Sequence, residues 1–282
     1  MSGPSEPATA WHYEDSGDAG HPPLVLLHGF TGCGQVWSEI IGSLHTDFRC
    51  VAPDLPGHGK SQVGDDIAPY QMPPVAEALA ELLLSIGLPK TAVWGYSMGG
   101  RLALMYATMF PERVSRLILE SASPGLADPV ERRQRQESDE QLASEIESKG
   151  ITAFVAKWEA HPLFQYQRVL PESKLVRMRA IRMAQTAHGL AMSLRGMGTG
   201  AQEPLHDRLA QVDVPTLILV GEKDDKFRAI GAQMAKAMPL AAYRVVPGAG
   251  HTTFWEQPEA CLRIVRPFLL GEEPPDLLPG GK

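Results

Sequence analysis

Short apolar runs alternate with helix-like segments along most of this 282-residue chain. The runs lie at residues 24–27, 50–52, 92–94, 117–119, 216–220 and 243–246. Helical patterns lie at residues 36–44, 75–86, 101–109, 230–237 and 260–269. Strands that are apolar throughout are buried on both faces, as in parallel sheets that helices cover. The sequence therefore predicts an α/β fold with a mostly parallel, twisted sheet and helices on both of its faces.

The alternation of strands and helices stops between residues 119 and 216. Residues 124–209 are almost entirely helical in pattern and are rich in Arg, Glu, Gln, Met and Ala. An insertion of this size at one edge of a sheet is typical of a helical cap over a binding site. We therefore expect a core formed by residues 1–122 and 210–282, and a helical cap formed by residues 123–209.

Composition excludes several classes of partner. The formal net charge of -7 gives no general attraction to nucleic acid or to anionic membranes. No segment approaches the roughly 18 apolar residues of a membrane span, and residues 1–10 lack the apolar centre of a secretory signal. Cys33, Cys50 and Cys261 are too few and too scattered for a disulfide framework or a zinc site. This cysteine content is typical of a cytoplasmic protein, and we expect either a monomer or a weak homo-oligomer.

A candidate nucleophile lies between a predicted strand and a predicted helix. Residues 95–100 read Gly-Tyr-Ser-Met-Gly-Gly, directly after the run at 92–94. Such a turn is tight enough to require small residues at Gly95 and Gly99, and it raises Ser97 above the sheet. The backbone amide of Met98 then points toward negative charge that develops beside the serine. The motif also occurs in ordinary turns, so its meaning depends on the partners of the serine.

A catalytic serine needs a histidine to accept its proton and a carboxylate to orient that histidine. In this kind of fold the three residues follow the chain order Ser, acid, His, each on a turn after its own strand. Asp224 lies four residues beyond the run at 216–220, with Asp225 as a rival, and His251 follows the run at 243–246. The sequence predicts a catalytic triad of Ser97, Asp224 and His251.

The turn after the first apolar run reads His-Gly-Phe-Thr-Gly at residues 28–32. Its glycines permit the backbone to pass close to the serine, so the amide of Phe30 is expected to join that of Met98 in an oxyanion hole. We interpret His28 as a structural residue that hydrogen-bonds to loop backbone. The loop at residues 54–61 is also interpreted as structural.

Arginines indicate an anionic ligand. Arg101 lies in the first turns of the helix that follows Ser97, where a cation opposes the helix dipole. Two interpretations are open: its head meets a carboxylate such as Glu120, or it faces the pocket and binds an anion. The insertion also carries aromatic residues, which either form its core or line a pocket for a planar ring. The further arginines of the insertion are Arg132, Arg133, Arg135, Arg177, Arg179 and Arg182.

These motifs resemble those of the α/β-hydrolase fold superfamily over almost the whole chain. The more restricted segments lie at residues 120–126, 131–139, 158–164, 193–200 and 221–227. They are similar to the 2-succinyl-6-hydroxy-2,4-cyclohexadiene-1-carboxylate synthases of menaquinone biosynthesis.

The resemblance implies a carbon–oxygen lyase that uses neither a metal nor an organic cofactor. Such enzymes eliminate pyruvate from 2-succinyl-5-enolpyruvyl-6-hydroxy-3-cyclohexene-1-carboxylate, a small molecule with three carboxylates. The residues that match the family's substrate-binding pocket are Arg101, Arg135, Arg179, Tyr96, Trp158 and Phe164. Ser97, activated by His251, would act as the base without forming an acyl-enzyme. The alternative is a serine esterase or a carbon–carbon bond hydrolase that acts on a small anionic substrate with the same triad.

Overall fold

The computed structural model describes residues 11–17, 19–61 and 64–278. Residues 1–10, for which the sequence predicts no secretory signal, lie outside the described residues, as do the last four residues of the predicted core. Among the described residues, one sheet contains β1 (Tyr13–Asp15), β2 (Pro23–Leu27), β3 (Arg49–Pro53), β4 (Thr91–Tyr96), β5 (Val114–Glu120), β6 (Thr216–Gly221) and β7 (Ala241–Val246). The strand order is β1-β3-β2-β4-β5-β6-β7. Only β1 is antiparallel to its neighbour, β3, which confirms the prediction of a mostly parallel sheet.

The described helices number nine. They are α1 (Ser38–Leu44), α2 (Met72–Ser85), α3 (Met98–Met109), α4 (Pro129–Glu159), α5 (Glu172–Met183), α6 (Ala187–Met197), α7 (Asp225–Ala237), α8 (Thr253–Glu256) and α9 (Pro258–Leu270). Short 3₁₀ segments occupy Gly34–Trp37, Ala68–Tyr70, Pro111–Arg113, Pro162–Val169 and His206–Gln211. None of these helices is long and apolar enough to cross a bilayer.

Two apolar cores lie on opposite faces of the sheet. Successive side chains of a strand point to opposite faces, and β2 shows the consequence. Its Val25 and Leu27 belong to the core formed with α2 and α3, whereas Leu24 and Leu26 belong to the core formed with α1 and α9. Helices therefore cover both faces, as predicted, and the strands hold the loops at their ends in fixed positions.

The segment between β5 and β6 is helical, as its composition predicts. It contains α4, the 3₁₀ segment Pro162–Val169, α5 and α6, and helix α4 bends at Gly150, where φ is 77°. A third apolar cluster joins α4 to α6, with Ala143, Ile146, Phe154 and Leu190 completely or almost completely buried. These helices stand beside the sheet with an apolar core of their own, so we retain the boundaries of the cap at residues 123 and 209 as a proposal.

Candidate active site

The three predicted catalytic side chains meet at one edge of the sheet. Ser97 follows β4, Asp224 follows β6 and His251 follows β7. Because these strands are parallel, their carboxyl ends reach the same edge. His251 Nε2 lies 3.2 Å from Ser97 Oγ, and His251 Nδ1 lies 2.7 Å from Asp224 Oδ2. These are the contacts that a serine, its base and the orienting carboxylate require.

The backbone at Ser97 is held in an unusual conformation, with φ 52° and ψ -108°. Its amide donates to the backbone oxygen of Glu120 at 2.8 Å, which ties the turn to β5. A side chain at Gly99 would place its Cβ 2.2 Å from the backbone oxygen of Leu27, so the turn packs against β2 too closely for any other residue. Positive φ at a non-glycine residue costs free energy and is typical of functional turns.

The acid beside His251 is Asp224. It caps the N-terminus of α7, where its Oδ1 accepts the amide of Phe227 at 3.3 Å, while Oδ2 faces the histidine. Its rival Asp225 points to solvent and pairs with Arg228 at 3.4 Å. The carboxylate of Asp224 thus caps the start of helix α7 and also orients the imidazole of His251. The geometry therefore favours Asp224 over Asp225 as the acid.

His251 is buried between aromatic rings and its two polar partners. The rings of Tyr96 and Phe227 have their centroids 5.5 Å and 4.6 Å from that of the imidazole. Since Nδ1–H of His251 donates a hydrogen bond to Asp224, the neutral imidazole directs the lone pair of Nε2 at the hydroxyl of Ser97. This arrangement allows the histidine to remove the serine proton.

The turn after β2 passes close to Ser97. A Cβ at Gly29 would lie 2.7 Å from Tyr96 Cε1 and 3.5 Å from Ser97 Cβ. His28 fixes this turn, because its Nδ1–H donates to the backbone oxygen of Gly29 and its Nε2 accepts the amide of Leu55. Burial lowers the pKa of His28, which favours the neutral ring that this pair of bonds needs.

Two backbone amides beside the serine have no acceptor among the described residues: those of Phe30 and Met98. Met98 is the first residue of α3, so its amide also carries the positive end of the helix dipole. Both residues line the cavity above Ser97. Both amides remain candidates for the oxyanion hole that the sequence predicts, and their catalytic role stays a prediction.

A cavity of about 710 Å³ lies over Ser97 and His251. Its size falls within the range of pockets that bind small organic molecules. Both the sheet and the helices of residues 123–209 contribute to its walls. The predicted substrate-binding residues that line it are Arg101, Arg135, Tyr96, Trp158 and Phe164.

Arg101 is a buried cation at the cavity wall, with 8% of the residue exposed. Its guanidinium donates to the side-chain oxygen of Gln202 and to the backbone oxygen of Met197, each at 2.8 Å. Burial, followed by repulsion from Arg135, lowers its pKa to about 10. The contact with Glu120 that the sequence leaves open does not form. A charge held by neutral acceptors at a cavity wall is suited to an anionic ligand.

The other cations of the cavity differ in their partners. Arg135 donates to Asp139 at 2.8 Å and Lys157 to Glu145 at 2.5 Å. Lys226 lines the cavity without an ion pair to any described carboxylate, and its Nζ lies 5.7 Å from the ring of Phe227. Sequence reasoning missed Lys226. The sequence signal for Lys226 is its position two residues after Asp224. This signal is weak, because charged residues in surface turns rarely mark a binding site.

Arg179 does not join the other predicted ligands. It forms an ion pair with Glu159, half of its side chain is exposed, and it does not line the cavity. Its neighbour Arg182 points inward, where its guanidinium stacks over Phe164 and donates to Gln167. Arg179 and Arg182 are three residues apart and therefore lie near each other on the surface of α5, so the sequence alone does not decide which arginine points inward.

The aromatic residues form a connected wall. Trp158 lies with its ring centroid 5.5 Å from those of both Phe30 and Phe164. Tyr96 packs against the imidazole of His251, and its hydroxyl is 2.7 Å from Thr252 Oγ1. Burial raises the pKa of the Tyr96 phenol, so the group stays neutral. These rings suit a ligand with a flat hydrocarbon portion.

Comparisons with known proteins agree with this architecture. Residues 22–258 match the family model of the alpha/beta hydrolase fold. The chain is 42% identical to a protein of Bacillus subtilis (strain 168) provisionally named a 2-succinyl-6-hydroxy-2,4-cyclohexadiene-1-carboxylate synthase, over 90% of this chain and 93% of that protein. It is 34% identical to the synthase of that name from Enterobacter sp. (strain 638), over 87% of this chain and 90% of the relative.

Among solved structures, MenH from S. aureus is similar with a TM-score of 0.87 and 33% sequence identity, over 93% of this chain and 98% of that one. The fold and the site thus define an α/β-hydrolase-fold enzyme. Within that fold, the chain belongs to the 2-succinyl-6-hydroxy-2,4-cyclohexadiene-1-carboxylate synthase family. The predictions of the fold, the family and an enzyme are confirmed.

Proposed function

We propose that this enzyme eliminates pyruvate from 2-succinyl-5-enolpyruvyl-6-hydroxy-3-cyclohexene-1-carboxylate to give 2-succinyl-6-hydroxy-2,4-cyclohexadiene-1-carboxylate. The observation that carries the proposal is one juxtaposition. The hydrogen-bonded series Ser97, His251 and Asp224 opens onto a cavity whose walls hold Arg101 and Arg135. A cavity that served neutral esters would need no such cations, whereas a tricarboxylate requires several.

The reaction begins with removal of a carbon-bound proton. His251 takes the proton of the Ser97 hydroxyl, and the serine oxygen removes the proton from the ring carbon that bears the succinyl group. The electron pair moves into the ring and forms the second double bond of the diene. The carbon–oxygen bond to the enolpyruvyl group breaks, and the departing enolate gains a proton to become pyruvate. No acyl-enzyme forms.

Negative charge develops on the succinyl carbonyl oxygen as the proton leaves. Phe30 and Met98 line the cavity that contains Ser97, and their backbone amides would stabilise that oxygen. Loss of one such donor would cost about 3 kcal/mol of transition-state stabilisation. Arg101 and Arg135 hold carboxylates of the substrate and thereby aim its acidic proton at the serine.

Lys226 completes this set of ligands in place of Arg179. It lines the cavity and has no ion pair with a described carboxylate, so its charge is available to the third carboxylate of the substrate. Trp158 and Phe164 would contact the cyclohexene ring. We further propose that the enzyme works in the cytoplasm, as a monomer or a weak homo-oligomer, on this small molecule alone.

The test is to follow pyruvate and conjugated diene released from freshly prepared substrate, after subtraction of the uncatalysed rate. Acceleration by the enzyme, with one diene formed per pyruvate, is the expected result. Absence of acceleration, with nitrophenyl esters still cleaved, would contradict the proposal. It would support instead a serine hydrolase whose cations bind a different anion.

A further inference from the structure

A second buried carboxylate holds the loop that carries His251. Glu256 Oε2 accepts the amide of Gly250 at 2.5 Å, and its Oε1 accepts the amide of Thr252 at 3.2 Å. These are the two residues that flank the histidine. The side chain of Glu256 therefore fixes the backbone on both sides of the proposed base.

The position of Glu256 follows from a single helical turn. Helix α8 is four residues long and ends at Glu256, whose amide donates to the backbone oxygen of Thr252 at 2.9 Å. The turn brings the carboxylate back over the residues before the helix, as a glutamate does in a capping box. Helix α8 is thus a fixed support for the histidine loop.

Glu256 is buried, with 6% of the residue exposed. Burial raises its pKa, the two amides lower it, and the charge of Asp224 raises it further. The interaction with Asp224 shows that both carboxylates act on the same small region around His251. A negative charge on Glu256, which is hydrogen-bonded to both chain neighbours of His251, would favour a positive charge on the imidazole.

The remaining charged or titratable groups around this region do not bind the two amides that flank His251. Buried Glu120 accepts the amides of Thr253 and Phe254, which lie further along the chain. Tyr96 faces His251 as a neutral phenol, and Arg182 reaches the region only through Gln167. Lys223 stacks on Tyr166, whose ring lies against Gly250. None of these groups accepts a hydrogen bond from the backbone that flanks the histidine.

We infer that Glu256 is a positioning residue for His251, which aligns the imidazole with Ser97 and supplies a second negative charge when the imidazole is protonated. The inference rests on the proposed role of His251 as the base. Asp224 orients the ring through Nδ1, and Glu256 orients the backbone from which the ring projects. Two constraints are needed because a histidine on a loop can rotate about its backbone as well as about its side chain.

The test compares Glu256→Gln with Glu259→Gln, a matched change at an exposed glutamate three residues further along the chain. The side chain of the introduced glutamine carries no charge. Its NH₂ group would face one of the two backbone amides that Glu256 binds. We expect kcat to fall roughly tenfold or more while KM stays within about twofold, because ground-state contacts are unchanged. Glu259→Gln is expected to behave as the unmodified enzyme.

The pH profile separates positioning from simple loss of folded protein. Without the negative charge the imidazolium is less stable, so the acid limb of kcat/KM should move to lower pH by roughly half a unit. Glu256→Asp keeps the charge but reaches only one amide, so its kcat should fall while its acid limb stays in place. If Glu256→Gln only lowered the folded fraction, its kcat would fall while the acid limb of its kcat/KM profile stayed at the same pH. That result would overturn the inference.

Ser97→Ala distinguishes failure of this inference from failure of the proposed function. If Ser97→Ala turns over substrate as fast as the unmodified enzyme, the proposed chemistry itself is wrong. If Ser97→Ala is inactive but both Glu256 variants retain full kcat, only the positioning role is wrong. Thermal melting of each variant checks that it is folded in the assay.

Discussion

At the scale of single residues, the site contains a buried cation that is held by neutral hydrogen-bond acceptors. Arg101 illustrates this feature, because its guanidinium is held by two neutral oxygens at the end of a helix where a cation is unfavourable. A protein retains such an arrangement when a ligand supplies the missing anion. In the proposed function, a carboxylate of the substrate would offset the free energy that burial of the arginine costs.

Arg101→Met tests this account of the buried arginine. We expect KM for the tricarboxylate to rise roughly tenfold or more, since one charge-assisted hydrogen-bond partner is lost. Hydrolysis of a small nitrophenyl ester serves as the control and should not change. Equal losses on both substrates would mean that Arg101 supports the structure instead of binding substrate.

Lys226 provides a second prediction at this scale. Lys226→Met should raise KM several-fold, about as expected for one charged contact at a partly exposed site, whereas Lys226→Arg should retain most of the affinity. Lys223→Met is the matched control, because Lys223 is also exposed and lies outside the cavity. If the two methionine variants behave alike, Lys226 contributes only to the overall charge.

At the scale of elements, the turn between β4 and α3 is closely packed against β2. Gly99→Ala would place a Cβ 2.2 Å from the backbone oxygen of Leu27. We expect a loss of about 3 kcal/mol in the free energy of unfolding, with little remaining activity. Gly42→Ala is the control, because that exposed helical position has no neighbour within 4 Å, and it should stabilise the protein by about 0.5–1 kcal/mol. Denaturant unfolding of both variants measures the difference, and equal effects would contradict this packing argument.

The strands and helices also show which parts of the fold a sequence pattern can predict. Each of the six apolar runs is a strand, because buried parallel strands leave an uninterrupted apolar signal. Strand β1 was not predicted, since Tyr13–Asp15 is a short edge strand that is only partly buried. Helices α2, α3 and α7 begin at Met72, Met98 and Asp225, three to five residues before their predicted starts. Their first turns hold proline, glycine or charged residues, which interrupt the apolar period.

The candidate site was predictable where chain order and strand ends determine it. Ser97, Asp224 and His251 follow three parallel strands, so topology alone brings them to one edge. The ligands from the helical segment were less predictable, because Arg179 and Arg182 lie three residues apart on α5 and only Arg182 points inward. The choice between Asp224 and Asp225 also needed coordinates, since both lie in the same turn.

At the scale of the whole molecule, the cavity lies between the sheet and the helices of residues 123–209. A ligand in it joins both parts, so it should stabilise the folded state. At a concentration of diene product about 100 times its Kd, we expect the free energy of unfolding to rise by about 2.7 kcal/mol. Arg101→Met at the same concentration should show a smaller increase. Equal increases would indicate that the product binds elsewhere.

The central claim is that Ser97 is the base that starts the elimination. The most direct measurement is the single-turnover rate of Ser97→Ala beside the unmodified enzyme, with substrate affinity measured for both. If Ser97 is the base, the substrate affinity of Ser97→Ala should stay within about threefold of that of the unmodified enzyme. Its turnover should fall close to the uncatalysed rate, because the serine acts on the transition state more than on bound substrate. Turnover by Ser97→Ala at the rate of the unmodified enzyme would contradict it and assign the proton transfer to another group.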